Sequence, residues 1–360
     1  MLNIYAGKKA LKTIQEHGFK QSLFTNFLGA SGGPKWFALL GLDKYLFGEF
    51  FKGRTTELNL VGSSAGAFRA ACFAQKDPVA AITRLANKYA RSTYSEKVDR
   101  HEISNSAFAM IDELFGENGI EEIIQNPIFK VHFIVAKSKG LTQFENKFLQ
   151  GTGLLTSIVR NKISRKLLRS QYERYVFRSA SSNLTIEDPY QFKTEYVDLT
   201  KQNIVDSLLA SGSIPYVMHG IKDIHGAPKG MYRDGGIIDY HFDVSLKEKD
   251  NNANEDVTTG LTLYPHFNSE PKAGWFDKSS SRQVSNENYK NTVLLVPSQK
   301  FIDSLPYGKI PDRTDFTNIP TDVRIKYWLK VLSETERVSD ELREFVEQQD
   351  LSKIKAFKGS

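Results

Sequence analysis

Two glycine-rich turns, each set between a strand-like apolar run and a helix-like run, constrain this chain more than any other feature of it. Leu23 to Leu28 reads as a buried strand entering Gly29-Ala30-Ser31-Gly32-Gly33. A helix should follow from about Lys35 to Phe47, with Trp36, Leu39, Leu40, Leu42 and Leu46 on its packed side. Leu58 to Val61 is a second strand, ending in Gly62-Ser63-Ser64-Ala65-Gly66 and leading into a helix from Ala65 to about Gln75. Strand, tight turn and helix, twice in succession, point to a parallel sheet, because parallel neighbours need a crossover between them. Further strands are expected at Val131 to Ala136, Tyr196 to Leu199, around Tyr232, Gly260 to Tyr264 and Thr292 to Val296. Helices are expected at Lys8 to Glu16, Ile103 to Phe115, Ile120 to Ile124, Ile204 to Ala210, and from Thr321 onward, where Ser333 and Glu336 have capping-box spacing. The polar stretches Lys247 to Asp256 and Asn268 to Asn291 read as surface loops. With no credible linker, the expectation is one α/β domain over 1–360. Its core would span about 20–300, with a helical insert about 95–190 and C-terminal helices about 321–350.

Three segments carry chemistry. Gly62-Ser63-Ser64-Ala65-Gly66 is a G-x-S-x-G pattern in the strand-to-helix setting that the motif needs: a tight turn projects the central hydroxyl, and Gly62 and Gly66 leave room for it. Ser63, as the flanking residue, should point elsewhere. In Gly29 to Trp36, successive glycines let backbone N–H groups approach an anion, such as the oxygen of a tetrahedral intermediate. A nucleotide P-loop fits poorly, because Leu28, Pro34 and Trp36 occupy positions where that loop needs a glycine, no interruption and a hydroxyl. Arg233-Asp234-Gly235-Gly236 follows the strand at Tyr232. Alone it is a turn; beside a serine its carboxylate is a candidate general base, with Gly235 and Gly236 allowing close approach.

In order and spacing these segments resemble the patatin-like phospholipase family. That family carries a glycine-rich loop ending in a basic residue, a G-x-S-x-G elbow and an Asp-Gly-Gly or Asp-Gly-Ala. Ala210-Ser211-Gly212-Ser213-Ile214-Pro215 is similar to its small-residue turn with proline. The resemblance covers roughly residues 23 to 240. It implies a three-layer α/β/α fold with a central, mostly parallel sheet, and lipid acyl ester hydrolysis without cofactor or metal. It further implies a dyad of Ser64 as nucleophile and Asp234 as base, and an oxyanion site from Gly32 and Gly33 with Lys35 beside it. The chain departs from the family's Gly-Gly-Gly-x-Arg-Gly loop: Ser31 replaces the first glycine and Trp36 the last, and Lys35 keeps the charge without the guanidinium fork. Trp36 either narrows the acyl entrance or packs into the core. Two other readings stay open: a Ser–His–Asp esterase with His241 or His266 as its histidine, Asp239 preceding His241, and a non-catalytic lipid- or protein-binding module on the same fold.

The partners implied are a lipid or acyl ester, with no nucleic acid. Lys and Arg exceed Asp and Glu by 48 to 42, a formal charge of +6, which is a weak bias over 360 residues. The one cysteine, Cys72, excludes an internal disulfide and reads as a buried small side chain. Without a basic-then-apolar leader or an 18-residue apolar run, the expectation is a cytoplasmic protein with peripheral contact to anionic membrane. Arg160 to Arg178, with seven basic residues, one acid and interleaved apolar side chains, reads either as a basic amphipathic helix lying on that membrane or as a solvated helix packed by one face. Trp275 and Phe276 would dip into the interface or cap the core.

Overall fold

The computed structural model describes residues 1–249, 256–258 and 260–360. Among them, eleven strands form one mostly parallel sheet. They are β1 (Leu2–Ala6), β2 (Phe24–Gly29), β3 (Leu58–Ser63), β4 (Phe129–Ser138), β5 (Tyr172–Arg178), β6 (Thr194–Asp198), β7 (Ile221–Lys222), β8 (Met231–Asp234), β9 (Leu261–Pro265), β10 (Thr292–Pro297) and β11 (Ile354–Ala356). Their order is β11-β1-β10-β9-β2-β3-β4-β5-β6, with β8 paired to β4 and β7 to β8. From β10 to β4 every neighbour is parallel. The side chains of these strands are almost entirely buried, as a sheet covered on both faces requires. The short strands β1 and β11, not foreseen from sequence, extend this sheet by pairing: β1 lies antiparallel to β10, and β11 parallel to β1.

Helices complete a three-layer α/β/α architecture: α1 (Lys8–His17), α2 (Leu40–Tyr45), α3 (Ala65–Phe73), α4 (Pro78–Ala90), α5 (Arg100–Phe115), α6 (Gly119–Gln125), α7 (Lys147–Ile163) and α8 (Ile204–Gly212), then Thr321–Glu334 and Glu336–Gln348 near the end. The helix α3 rests on β3, β4 and β2, and packs against α4, α5 and α8. No helix among the described residues is long and apolar enough to cross a membrane.

Several expectations need correction. The region Lys35 to Phe47 is not one α-helix: a 3₁₀ segment over Gly33–Leu39 gives way to α2 and then to a π turn over Leu46–Phe50. The backbone is pinned at that change, where the Gly41 amide donates to Thr335 Oγ1 at 2.9 Å. The capping box does not form. Ser333 Oγ turns back to the Lys330 carbonyl at 2.8 Å, and the Thr335 hydroxyl is already occupied by Gly41 and by the Leu332 carbonyl. The stretch expected to be a helical insert also supplies β4 and β5.

Arg160 to Arg178 is not one helix either. α7 ends at Ile163, a 3₁₀ turn spans Arg165–Ser170, and β5 follows. Two of its basic residues are interior: Arg165 pairs with buried Asp277 at 3.3 Å, and Arg174 is held between Asp188 at 2.8 Å and Asp239 at 2.6 Å. Trp275 and Phe276 lie in a short turn against a small core of Leu168, Tyr172 and Ile238. Of Lys247 to Asp256, Ser245–Lys249 is a strand paired with Leu184–Glu187, and 250–255 lie outside the described residues. Asn268 to Asn291 is largely irregular, yet it tucks Ala273, Asp277, Val284 and Tyr289 into the interior.

Beneath the second glycine turn, Arg69 of α3 grips Asp43 of α2 through Nε at 2.8 Å and a second nitrogen at 2.5 Å, both side chains being fully buried. A fork-to-carboxylate pair in so dry a place is far costlier to break than to form. Replacing Asp43 by Ala should therefore lower unfolding free energy in urea titrations by about 3–5 kcal/mol, and Cys72, also buried on α3, should become reactive to a thiol probe.

Candidate active site

The register of three strands brings the three sequence motifs together. Gly29 at the end of β2 is paired with Gly62 of β3, so both glycine turns leave the sheet side by side. Ser63 is paired with Ile134 of β4, and the next β4 residue, Val135, is paired antiparallel with Asp234 of β8. Ser64 and Asp234 thus meet at the carboxyl end of the parallel strands, the usual place for a site in an open α/β sheet.

The turn itself is held by contact between backbones. A Cβ on Gly66 would lie 1.9 Å from the Gly29 carbonyl oxygen, and one on Gly62 would lie 2.4 Å from the Gly66 carbonyl group. Only glycine permits this approach, which seats the first turn of α3 against the end of β2. Ser64, between β3 and α3, has φ 53° and ψ −126°. A side-chain-bearing residue held at such angles costs on the order of 1–3 kcal/mol, which the surrounding contacts must offset. One of them is the hydrogen bond from the Ser64 amide to Ser211 Oγ at 3.0 Å; that hydroxyl in turn donates to the Ile134 carbonyl at 2.8 Å. Ser211 belongs to the small-residue segment 210–215, so this segment braces the turn.

Ser64 Oγ donates to Asp234 Oδ2 at 3.0 Å, and both residues are buried. The other carboxylate oxygen, Oδ1, accepts from the Gly236 amide at 2.7 Å, which fixes the rotation of the carboxyl group. Burial raises the Asp234 pKa, opposed first by Arg313 and then by the Gly236 amide. Gly235 is pressed so close to β4 that a Cβ there would lie 2.1 Å from the Ile134 carbonyl oxygen, and a Cβ on Gly236 would meet Ser31 Oγ at 2.8 Å.

The first glycine loop lies beside the pair. Gly32 has φ 149° and Gly33 has φ 56°, and the amides of neither make a hydrogen bond among the described residues. Ser31, in the place of a family glycine, ties the loop to β3 through the Ser63 carbonyl at 3.0 Å and the Ser63 hydroxyl at 2.6 Å. Ser63 points away from Ser64, donating to the Asp239 carbonyl. Lys35 Nζ is 3.3 Å from Asp312 and lines neither cavity at Ser64. Trp36 is buried beside Phe37 and does not reach those cavities.

Two cavities open on Ser64. One, of about 360 Å³, is walled chiefly by Phe68, Ile103, Ala107, Met110, Ile214, Val217 and Met218, with Arg313 at its edge. The other is a niche of about 20 Å³, roughly the room for one water molecule or one oxygen, between Ser31, Gly32, Ser64, Asp234, Tyr240, Lys278 and Arg313. Lys278 and Arg313 were not singled out from sequence, because neither lies in a motif. Arg313 reaches the Tyr89 hydroxyl and lies against Gly33, where a Cβ would meet its Nε at 2.7 Å. Lys278 Nζ sits 4.1 Å from the centre of the Tyr240 ring. Lys278 is exposed at the rim of the niche, and partial desolvation, then Arg313, lower its pKa to about 8. Neither cation makes an ion pair with a carboxylate among the described residues.

The histidines lie elsewhere. His241 accepts from the Lys272 amide at 2.9 Å, packs on His266, makes no hydrogen bond to Ser64, and is held neutral by burial. Asp239 is committed to Arg174 through both oxygens. Among the described residues no group of three or more His, Cys, Asp or Glu side chains could hold a metal ion.

A search of curated proteins gave no match. Compared with protein-family models, residues 31–241 match Patatin-like phospholipase. That span exceeds half the chain and includes Ser64, Asp234, the Ser31–Lys35 loop and the 210–215 turn, while Lys278 and Arg313 fall beyond it. The chain therefore belongs to the patatin-like phospholipase family.

Proposed function

We propose that this protein hydrolyses lipid acyl esters with Ser64 as nucleophile and Asp234 as its base. The observation that carries this reading is the 3.0 Å hydrogen bond from Ser64 Oγ to a buried carboxylate, made from a backbone held at positive φ. Ser64 Oγ attacks the ester carbonyl carbon as its proton passes to Asp234 Oδ2, and the carbonyl π electrons move onto oxygen. The Gly32 and Gly33 amides meet the resulting oxyanion; Lys35, tied to Asp312, steadies their loop. When the intermediate collapses, the alcohol leaves with the proton from Asp234 and an acyl-serine remains. Water then attacks that ester, giving its proton to Asp234; collapse frees the fatty acid and returns the proton to Ser64. The apolar cavity of about 360 Å³ suits the acyl chain. Lys278 and Arg313, which line the niche with Asp234 and pair directly with no carboxylate among the described residues, suit an anionic group close to the ester. The triad reading is not favoured, because His241 is directed to Lys272.

A fluorophosphonate probe should label the wild type and not Ser64→Ala; no labelling of the wild type would favour the binding-module reading instead. Asp234→Asn should cut kcat by about 10³-fold or more. Because burial raises the pKa of this acid in the folded state, the folded form holds its proton to higher pH than the unfolded chain does. Stability from this group is present at acid pH and declines as pH rises through the folded value. Asp234→Asn should accordingly have a higher Tm than the wild type at pH 7, and the difference should shrink toward pH 4.

For substrates sharing one acyl chain, the ratio of kcat/KM for an anionic ester to that for a neutral ester should exceed one. It should fall about tenfold in Arg313→Met with Lys278→Met. In the wild type the ratio should also decline as pH rises through about 8, where Lys278 loses its charge. A ratio unmoved by the double substitution would overturn the assignment of these two cations.

A further inference from the structure

The helix α7 is built inside out. Its buried residues are Gln150, Gly153, Leu154, Ser157 and Asn161, four of them polar or small. The polar ones are fully employed: Gln150 accepts from the Tyr216 amide at 2.9 Å, Ser157 meets the Tyr172 hydroxyl at 3.0 Å, and Asn161 donates to Asp277 at 2.8 Å. The opposite stripe follows the helical spacing 148, 152, 155, 159, 163 and is apolar except for Thr152, whose hydroxyl turns back to the Phe148 carbonyl. Phe148 is 79% exposed, Leu155 62%, Val159 51% and Ile163 73%. Single exposed apolar residues are ordinary, but an apolar stripe facing water over the whole length of a helix whose inner stripe is polar has the polarity expected of a helix between a protein and an apolar medium.

Charge decides between candidate media. From Lys147 to Ser170 the chain has six basic residues and no Asp or Glu. Only Arg165 is consumed in the interior; Lys147, Lys162, Lys166 and Arg169 are exposed beside or just beyond the stripe. Two copies of such a face would oppose like charges, which disfavours a two-fold dimer through it. An anionic bilayer offers both the apolar interior for the stripe and the counter-charge for its lysines, whose long stems let the ammonium groups reach the headgroups. The face also adjoins the acyl cavity. The Tyr216 ring lies against α7, with its hydroxyl on the Lys147 carbonyl, and its neighbour Val217, partly exposed, lines that cavity.

We propose that the outer face of α7, centred on Phe148, Leu155, Val159 and Ile163 and flanked by Lys162 and Lys166, is the surface by which the protein lies on an anionic lipid bilayer. The proposal rests on the reading of the site as one acting on lipid esters, but its surface can be tested apart from catalysis. The full chain is sedimented with phosphatidylcholine vesicles, with and without phosphatidylglycerol. The wild type should partition onto the anionic vesicles. Leu155→Ser with Val159→Ser and Ile163→Ser should weaken that partition about tenfold or more, with little change in Tm, since these side chains are mostly exposed; Lys162→Glu with Lys166→Glu should remove the preference for phosphatidylglycerol. No wild-type binding, binding that survives the serine substitutions, or equal binding to both compositions would overturn the proposal. So would a concentration-dependent dimer, seen by sedimentation velocity, that the serine substitutions abolish in place of vesicle binding. Turnover of a short-chain soluble ester is read in parallel: its absence from a wild type that still binds vesicles would sink the hydrolase reading and leave this surface standing.

Discussion

The contact between Gly29 and Gly66 is the constraint on which the site depends. Two backbones from different strand–helix units approach until no β-carbon fits between them, and this places the loop after β2 beside the turn after β3. Any side chain at Gly66 would push α3 away from β2, and with it the amides of Gly32 and Gly33 from Ser64. The strain at Ser64 can persist only because this contact, the Ser211 brace and the parallel pairing of β2, β3 and β4 together over-determine its position. Asp234 arrives by a separate route, on a strand antiparallel to β4, and Gly235 lets that strand end close against the same β4 carbonyl region.

Around this frame the electrostatics are asymmetric. Asp234 is a buried carboxylate whose proton affinity is raised, and the basic groups near it, Arg313 and Lys278, come from the segment beyond the family-matched residues. Lys35 in the loop is bound to Asp312, the neighbour of Arg313. The loop's own cation therefore serves to anchor the segment that carries a second cation up to Gly33. Arg313 adds a second positive charge against Gly33, at the niche that Lys35 does not line. Had Lys35 faced the niche, the Asp312 carboxylate would keep only its contacts with Thr314.

Much of this was legible in the sequence, for identifiable reasons. The core strands β2, β3, β4, β9 and β10 are short apolar runs ended by glycine or proline, and the three motifs are local strings whose meaning depends on order. What was missed depends on contacts between distant segments. The edge strands β1 and β11 exist through pairing with β10 and with each other. β5 looked like part of a basic helix because its arginines suggest a solvated face; in the fold, Arg174 is buried against Asp188 and Asp239, residues 14 and 65 positions away. The Ser333–Glu336 spacing suggested a cap, but a neighbouring threonine hydroxyl had already been taken by Gly41. Arg313 and Lys278 carry no motif at all; only the fold brings them to Ser64.

The helix α7 escaped for a different reason. Its apolar period is regular, but periodicity gives a stripe without saying which way it faces. The usual assumption turns apolar residues inward, and here the hydrogen bonds of Gln150, Ser157 and Asn161 turn them outward. Rotating α7 by half a turn would bury Phe148, Leu155 and Val159 but take Gln150 from the Tyr216 amide, Ser157 from the Tyr172 hydroxyl and Asn161 from Asp277 in the interior. Each buried polar group left without a partner costs about 1–3 kcal/mol, comparable with what burying one of those apolar side chains would contribute. The outward stripe is thus fixed by interior polar contacts, and it stays outward whether or not a membrane is present. A surface built that way needs no conformational change to face an apolar medium, and the apolar cavity lined by Val217 lies next to it from the start.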